Sequence, residues 1–259
     1  MVSTHIAGSD GADRLGGLHQ FAALSRETIA ELNALCRIHR YEPGQTVAVD
    51  GEHTDYIGFV KSGFLRMQKT LSDGRQHIVG LLVDGDMFGQ VFSGPLHFDI
   101  EAATEAQICA FKRAPFEALL ERTPELERLV MLNLLNELDR ARDWMLILSG
   151  QKVSCRLAGF LLVMCSRFAD IDHVLTKGRD GLDVKIPINR TDLAHLLGTR
   201  TESISRAFHA LQEAGDLRIL KPNLVRILDL EALASHAGEE ELLASPNLRD
   251  LVRVIKRRA

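Results

Sequence analysis

NRTDLAHLLGTRTESISRAFHAL, residues 189–211, is the stretch on which the reading of this chain turns. Asn189 has the side-chain oxygen that caps a helix, Asp192 follows at the third position, and Leu193, Leu196 and Leu197 recur at the spacing of one buried face. Gly198 stops that pattern, because glycine enters the left-handed conformation that ends helices without steric penalty. A second helix follows almost at once. Thr199 and Glu202 have capping-box spacing, and Ile204, Phe208 and Leu211 supply an inward stripe up to Gly215. Two short helices joined by a tight glycine turn have the pattern of the bihelical unit that lays its second helix in the major groove of DNA.

The outer, N-terminal part of that second helix carries Arg200, Thr201, Glu202, Ser205 and Arg206. Their chemistry suits base edges: arginine donates to guanine O6 and N7, glutamate accepts from cytosine N4, and serine or threonine contacts several bases or a thymine methyl. These five are the expected DNA-binding residues. The bland alternative keeps Glu202 as a cap and Arg206 as solvated surface on an ordinary helical hairpin. Beyond the helix, Leu217 to Leu228, with Lys221-Pro222-Asn223 between apolar runs, reads as a wing hairpin.

The charge agrees with a local contact. The whole chain carries −4, yet the segment from Gln151 to Leu230 is +3 and the remainder −7. A binder acting through bulk charge is excluded, so any nucleic-acid contact belongs to the C-terminal third. Just upstream, Val153 to Phe168 reads as an apolar helix and Lys177 to Asp183 as a polar hairpin or loop.

Before these, Pro124 to Ser149 predicts one long helix in which Met131, Leu134, Leu138, Ala141, Met145 and Leu148 alternate by threes and fours. Such a seam packs on a partner helix, and a self-complementary one makes a homodimer. With Ala141 at its centre, no charge opposes that pairing. The alternative is a helix lying on its own β-domain.

From Ile38 to Phe111 the period changes. Short apolar runs such as Tyr56–Val60 and Ile78–Val83 are punctuated by Pro43-Gly44, Ser62-Gly63, Asp73-Gly74 and Asp84-Gly85, the marks of an antiparallel sandwich or barrel. Ser25 then caps a short helix with Ile29, Leu32, Leu35 and Cys36 on its buried face. The expected architecture is α+β: a flexible arm over 1–18, a β-roll sensor over 19–122, a dimerisation helix over 123–150, a winged helix-turn-helix over 151–235 and an extension over 236–259.

Composition closes off several classes. Apolar residues at 46% and charged residues at 25% describe a globular chain, and no apolar run reaches the roughly 20 residues of a bilayer span. With no basic-then-apolar leader either, a soluble cytoplasmic protein is expected, without membrane partners. Cys36, Cys109, Cys155 and Cys165 are scattered singly, which favours neither a zinc site nor a disulfide framework, and periodicity places Cys155 and Cys165 in buried positions. No nucleophile–base arrangement, P-loop or dinucleotide fingerprint appears, so no catalytic residue is expected. A cupin-like enzyme would need a close histidine pair, which the ten histidines do not form, so no metal ligand is assigned. A regulatory module that switches a protein rather than DNA is the remaining alternative.

On the glycine-marked β-roll, the long helix and the run from Arg190-Thr191-Asp192-Leu193 through Glu202-Ser203-Ile204-Ser205-Arg206, the chain resembles the CRP/FNR family of transcription regulators, in particular its FNR and FixK branches. The resemblance covers residues 20 to 230. It implies a homodimer on double-stranded DNA, a TTGAT-type inverted repeat read through Glu202, Ser205 and Arg206, RNA polymerase as a partner, and genes of low-oxygen, nitrogen-oxide or respiratory metabolism. Cyclic-nucleotide-binding relatives carry Gly-Glu and then Arg-Ser or Arg-Thr in the phosphate cassette. Here Gly89 precedes Gln90 and the later positions fall near Leu96 and His97, so cyclic AMP is not expected. Cys109 resembles the central ligand of the iron-sulfur members, but residues 1–35 hold no cysteine, so a four-thiolate cluster is not expected either. The effector stays unknown.

Overall fold

The computed structural model describes residues 14–91, 94–168, 174–178 and 180–238. The chain divides between Arg140 and Ala141 into two compact units.

In the first unit a 3-10 turn (His19–Ala23) and α1 (Arg26–Leu35) precede eight strands. These are β1 (Arg37–Tyr41), β2 (Thr46–Ala48), β3 (Tyr56–Ser62), β4 (Leu65–Thr70), β5 (Gln76–Leu82), β6 (Met87–Phe88), β7 (Asp99–Ala102) and β8 (Ala106–Lys112). Helices α2 (Arg113–Arg122) and α3 (Pro124–Ser149) follow, the latter running across the division between the units. The strands form two antiparallel four-stranded sheets, ordered β1-β8-β3-β6 and β2-β7-β4-β5. Ser25 caps α1 as expected, its hydroxyl accepting from the Thr28 N–H.

Ile57 to Val60 are buried without a break because the first sheet has a core on each face. Ile57, Phe59, Cys109 and Phe111 pack with Phe21, Leu32 and Phe116 from the helical side, whereas Val60 and Ile108 join Leu65, Leu82, Phe88 and Ile100 inside the roll. A strand covered on both sides reads as a continuous apolar run, not as alternation. Gly58 is fixed by the same crowding: a Cβ there would lie 2.2 Å from the Phe88 ring.

Arg14 to Leu18, expected in the flexible arm, are instead packed. Leu15 and Leu18 are buried, and the Leu18 N–H donates to the Leu15 carbonyl at 3.0 Å. Burial of two leucines offsets the ordering entropy that the Gly-rich and Ser-rich composition suggested would prevail. The rest of that arm, and the extension from residue 239 onward, lie outside the described residues.

The second unit continues with α4 (Val153–Arg167), β9 (Leu175–Lys177), β10 (Leu182–Lys185), α5 (Arg190–Leu196), α6 (Thr201–Glu213), β11 (Leu217–Lys221), β12 (Leu224–Ile227) and α7 (Leu230–Ala237). Its sheet is ordered β11-β12-β10-β9, antiparallel throughout. Every residue from Leu157 to Ser166 is buried, as befits a helix packed against both α6 and α7. Cys165 has no exposure, but Cys155, read from periodicity as buried, is partly exposed because it falls in the first turn, before α4 enters the core.

Candidate nucleic-acid interface

The helical pair is built from its caps inward. Asn189 and Asp192 satisfy each other: the Asp192 N–H donates to Asn189 Oδ1 at 2.9 Å, and Asn189 Nδ2 donates to Asp192 Oδ2 at 3.0 Å. Leu193, Leu196 and Leu197 are buried behind this cap. Gly198 then takes φ +59°, and the Thr199 N–H closes onto the Ala194 carbonyl at 2.9 Å. Arg156, projecting from α4, donates through Nη1 to the Leu197 carbonyl at 2.8 Å and so satisfies an acceptor that the end of α5 leaves open.

The expected Thr199–Glu202 capping box does not form. Helix α6 begins at Thr201, with Arg200 as its N-cap in extended geometry and without a side-chain cap bond. The left-handed turn at Gly198 and the bond from Thr199 back to Ala194 engage Thr199 in ending the first helix. Glu202 therefore acts in the first turn through its charge, which suits the positive end of the helix, and its carboxylate is exposed.

Ile204, Ala207, Phe208 and Leu211 are buried, which turns the opposite face of α6 to solvent. Glu202, Ser205 and Arg206 are exposed on that face, Arg200 is exposed at the cap, and Thr201 is half-buried. All five expected residues thus converge at one end of one helix. Ser205 Oγ donates to the Thr201 carbonyl at 3.3 Å, leaving its acceptor capacity outward. Among the described residues Arg206 makes a long 3.5 Å contact with Ser203 Oγ, which holds its guanidinium weakly.

Two residues escaped the sequence reading. His209 is exposed one turn beyond Ser205 and Arg206, on the same face, and the 3–4 spacing was the available signal. Arg190, at the first position of α5, lies with its guanidinium carbon 3.4 Å from the centre of the Phe208 ring. Burial pushes its pKa down to about 10. A half-buried cation over an aromatic face clamps the first helix to the second, and no local spacing announces it. Beside the pair, β11 and β12 form the expected wing, with Lys221, Pro222 and Asn223 exposed at its tip.

Tyr41, Val60, Leu65, Leu82, Phe88, Leu96, Ile100 and Ile108 form an apolar core inside the roll, and His97 is exposed. Among the described residues no group of three or more His, Cys, Asp and Glu is arranged to hold a metal ion.

A β-roll and a winged helix-turn-helix with an open reading face together define a two-domain, DNA-binding regulator. Comparison with known proteins agrees domain by domain: residues 38–123 match the family described as Cyclic nucleotide-binding domain, and residues 155–236 match the Crp-like helix-turn-helix domain. The chain is 30% identical over 219 residues to the transcriptional activator protein FnrL of Cereibacter sphaeroides, covering 85% of this chain and 88% of that one. It is 32% identical over 217 residues to the nitrogen fixation regulation protein FixK of Bradyrhizobium diazoefficiens, covering 83% and 89%. Among solved structures, FixK2 from Bradyrhizobium japonicum superposes with a TM-score of 0.67 at 26% identity, over 77% of this chain and 96% of that one. The chain belongs to the CRP/FNR family of transcription regulators. It is a regulator of the FNR and FixK activator type and not an enzyme.

Proposed function

We propose that the chain is a homodimeric, sequence-specific activator that reads an inverted repeat of TTGAT-type half-sites through Arg200, Thr201, Glu202, Ser205 and Arg206. The observation that carries this reading is the reading face of α6, where exposed Glu202, Ser205 and Arg206 stand above a wholly apolar buried stripe. Guanine and cytosine in the half-site are the bases those side chains recognise.

The dimer rests on α3. Met131, Leu134, Leu138, Met145 and Leu148 are between 43% and 64% exposed on one stripe, with Ala141 exposed at its centre. An apolar seam of that length in water is a surface made for covering, and a second copy supplies the same seam. Two-fold symmetry in the protein then corresponds to the inverted repeat in the DNA. Regulation of low-oxygen, nitrogen-oxide or respiratory genes, with RNA polymerase as the partner at the promoter and the cytoplasm as the site of action, fits relatives named for nitrogen fixation and for fumarate and nitrate reduction. The test is a mobility-shift titration on a TTGAT-N4-ATCAA duplex against a scrambled duplex. Preference for the repeat supports the reading, and equal binding to both refutes the half-site.

A further inference from the structure

Cys36 and Cys109 meet inside the first unit. Cys36 caps the C-terminus of α1 where the chain turns into β1, and Cys109 lies on β8 opposite Ile38. Two residues from Ile38, Cys36 is the diagonal neighbour of Cys109 on the same side of the ladder, and both lie in one buried cluster, with Cys109 near enough to act on the Cys36 thiol. Neither has any exposed surface, and none of the four cysteines is in a disulfide.

The pair lies beneath a strap formed by Arg14 to Leu18. The N–H groups of Arg14 and Leu15 donate to Asn33 Oδ1 at 3.1 and 3.2 Å, and the Arg14 guanidinium donates to the carbonyls of Asn33 and Cys36 at 3.3 and 3.2 Å. The Arg14 carbonyl in turn accepts from Cys109 Sγ at 3.3 Å and from Lys61 Nζ at 2.7 Å. The adjoining Cys109 side chain, and then the positive charges of Arg14, Lys61 and Arg37, hold the Cys36 thiol below its ordinary pKa against the opposing effect of burial. Cys165 shows what burial does alone: in the apolar interior of α4 its thiol is driven upward. The lowered pKa, not exposure of the thiol at rest, sets Cys36 apart from Cys165.

We propose that Cys36 and Cys109 form an oxidisable dithiol at which a peroxide-class oxidant acts on the sensor unit, with the Arg14–Leu18 strap controlling access. The Cys36 thiolate attacks hydrogen peroxide, the O–O bond breaks, Cys36 becomes a sulfenic acid, and the released hydroxide takes up a proton to leave as water. Cys109 sulfur then attacks Cys36 sulfur. The S–S bond forms, the S–O bond breaks, and the hydroxyl leaves as a second water with the Cys109 proton. Two thiols give up two electrons and one peroxide becomes two waters. Closure needs the sulfurs to approach to about 2.05 Å, and Cys36 sits at a helix–strand junction, outside both regular elements, where such a movement is least opposed.

The test is hydrogen peroxide added to the reduced full-length protein, followed by alkylation in denaturant and peptide mass mapping. The expected result is a Cys36–Cys109 cross-linked peptide about 2 Da lighter than the reduced pair, reversed by dithiothreitol, with Cys155 and Cys165 still alkylated. Cys36→Ser abolishes the cross-link in a chain whose circular dichroism is unchanged. Leu15→Ala, which loosens the strap without altering charge, speeds the oxidation severalfold. Full alkylation of Cys36 and Cys109 after peroxide treatment, or loss of Cys155 alone, overturns the proposal, and the wild-type map decides this even if a variant fails to fold.

Discussion

Arg206 is where the proposed reading is most exposed to experiment. Its guanidinium is solvent-facing and weakly tethered. Arg206→Ala is therefore expected to weaken binding to a guanine-containing half-site by roughly 1 to 3 kcal/mol and to blur the preference at that base pair. The comparison that checks it is affinity for the repeat against random DNA. A loss of equal size on both would reduce Arg206 to a phosphate contact. Arg190 makes the contrasting case, since it is held over the Phe208 ring and acts within the helical pair. Arg190→Met should lower unfolding stability in urea by about 0.5 to 2 kcal/mol, the range for a desolvated cation on an aromatic face. An unchanged midpoint would show that apolar packing alone joins α5 to α6. At this scale the sequence was only partly legible. Glu202, Ser205 and Arg206 follow from helical spacing, whereas the Arg190–Phe208 stacking and the Cys36–Cys109 contact join residues that no local pattern connects.

Elements were easier to read than their ends. The glycine turns and the change from short apolar runs to a period of 3.6 mark the strands and helices, and α3 runs from Pro124 to Ser149 with the expected bounds. The start of α6 shows why ends are harder: a cap is decided by which residue the preceding turn has already engaged, and Gly198 engages Thr199. Asn189 is a cap whose partner is in place, so Asn189→Ala should destabilise the second unit by about 1 kcal/mol in a thermal or urea transition. A change within error would assign the start of α5 to packing of Leu193 and Leu197. For α3, Ala141→Asp places like charges opposite each other in the proposed seam and should shift the protein toward monomer in sedimentation velocity. If the variant sediments as the unaltered chain does, Ala141 is not in the interface.

Across the whole molecule, composition and period were sufficient for an α+β chain with a β-roll followed by a winged helix-turn-helix, because both domains advertise themselves through turn residues and apolar spacing. The arm was misread where Leu15 and Leu18 pack, since two leucines among polar and glycine residues carry no periodic signal. The effector was not legible because Gln90, Leu96 and His97 stand where the resemblance puts the phosphate cassette, and an apolar core inside the roll names no ligand. At this scale the proposal is a dimer that recognises DNA through α6. The direct measurement is titration of purified, metal-analysed protein onto a TTGAT-N4-ATCAA duplex and a scrambled duplex across a salt series. The account predicts a preference for the repeat that persists as salt rises and affinity for both duplexes falls. Equal affinity for the two duplexes at every salt concentration, or binding to neither, would contradict it.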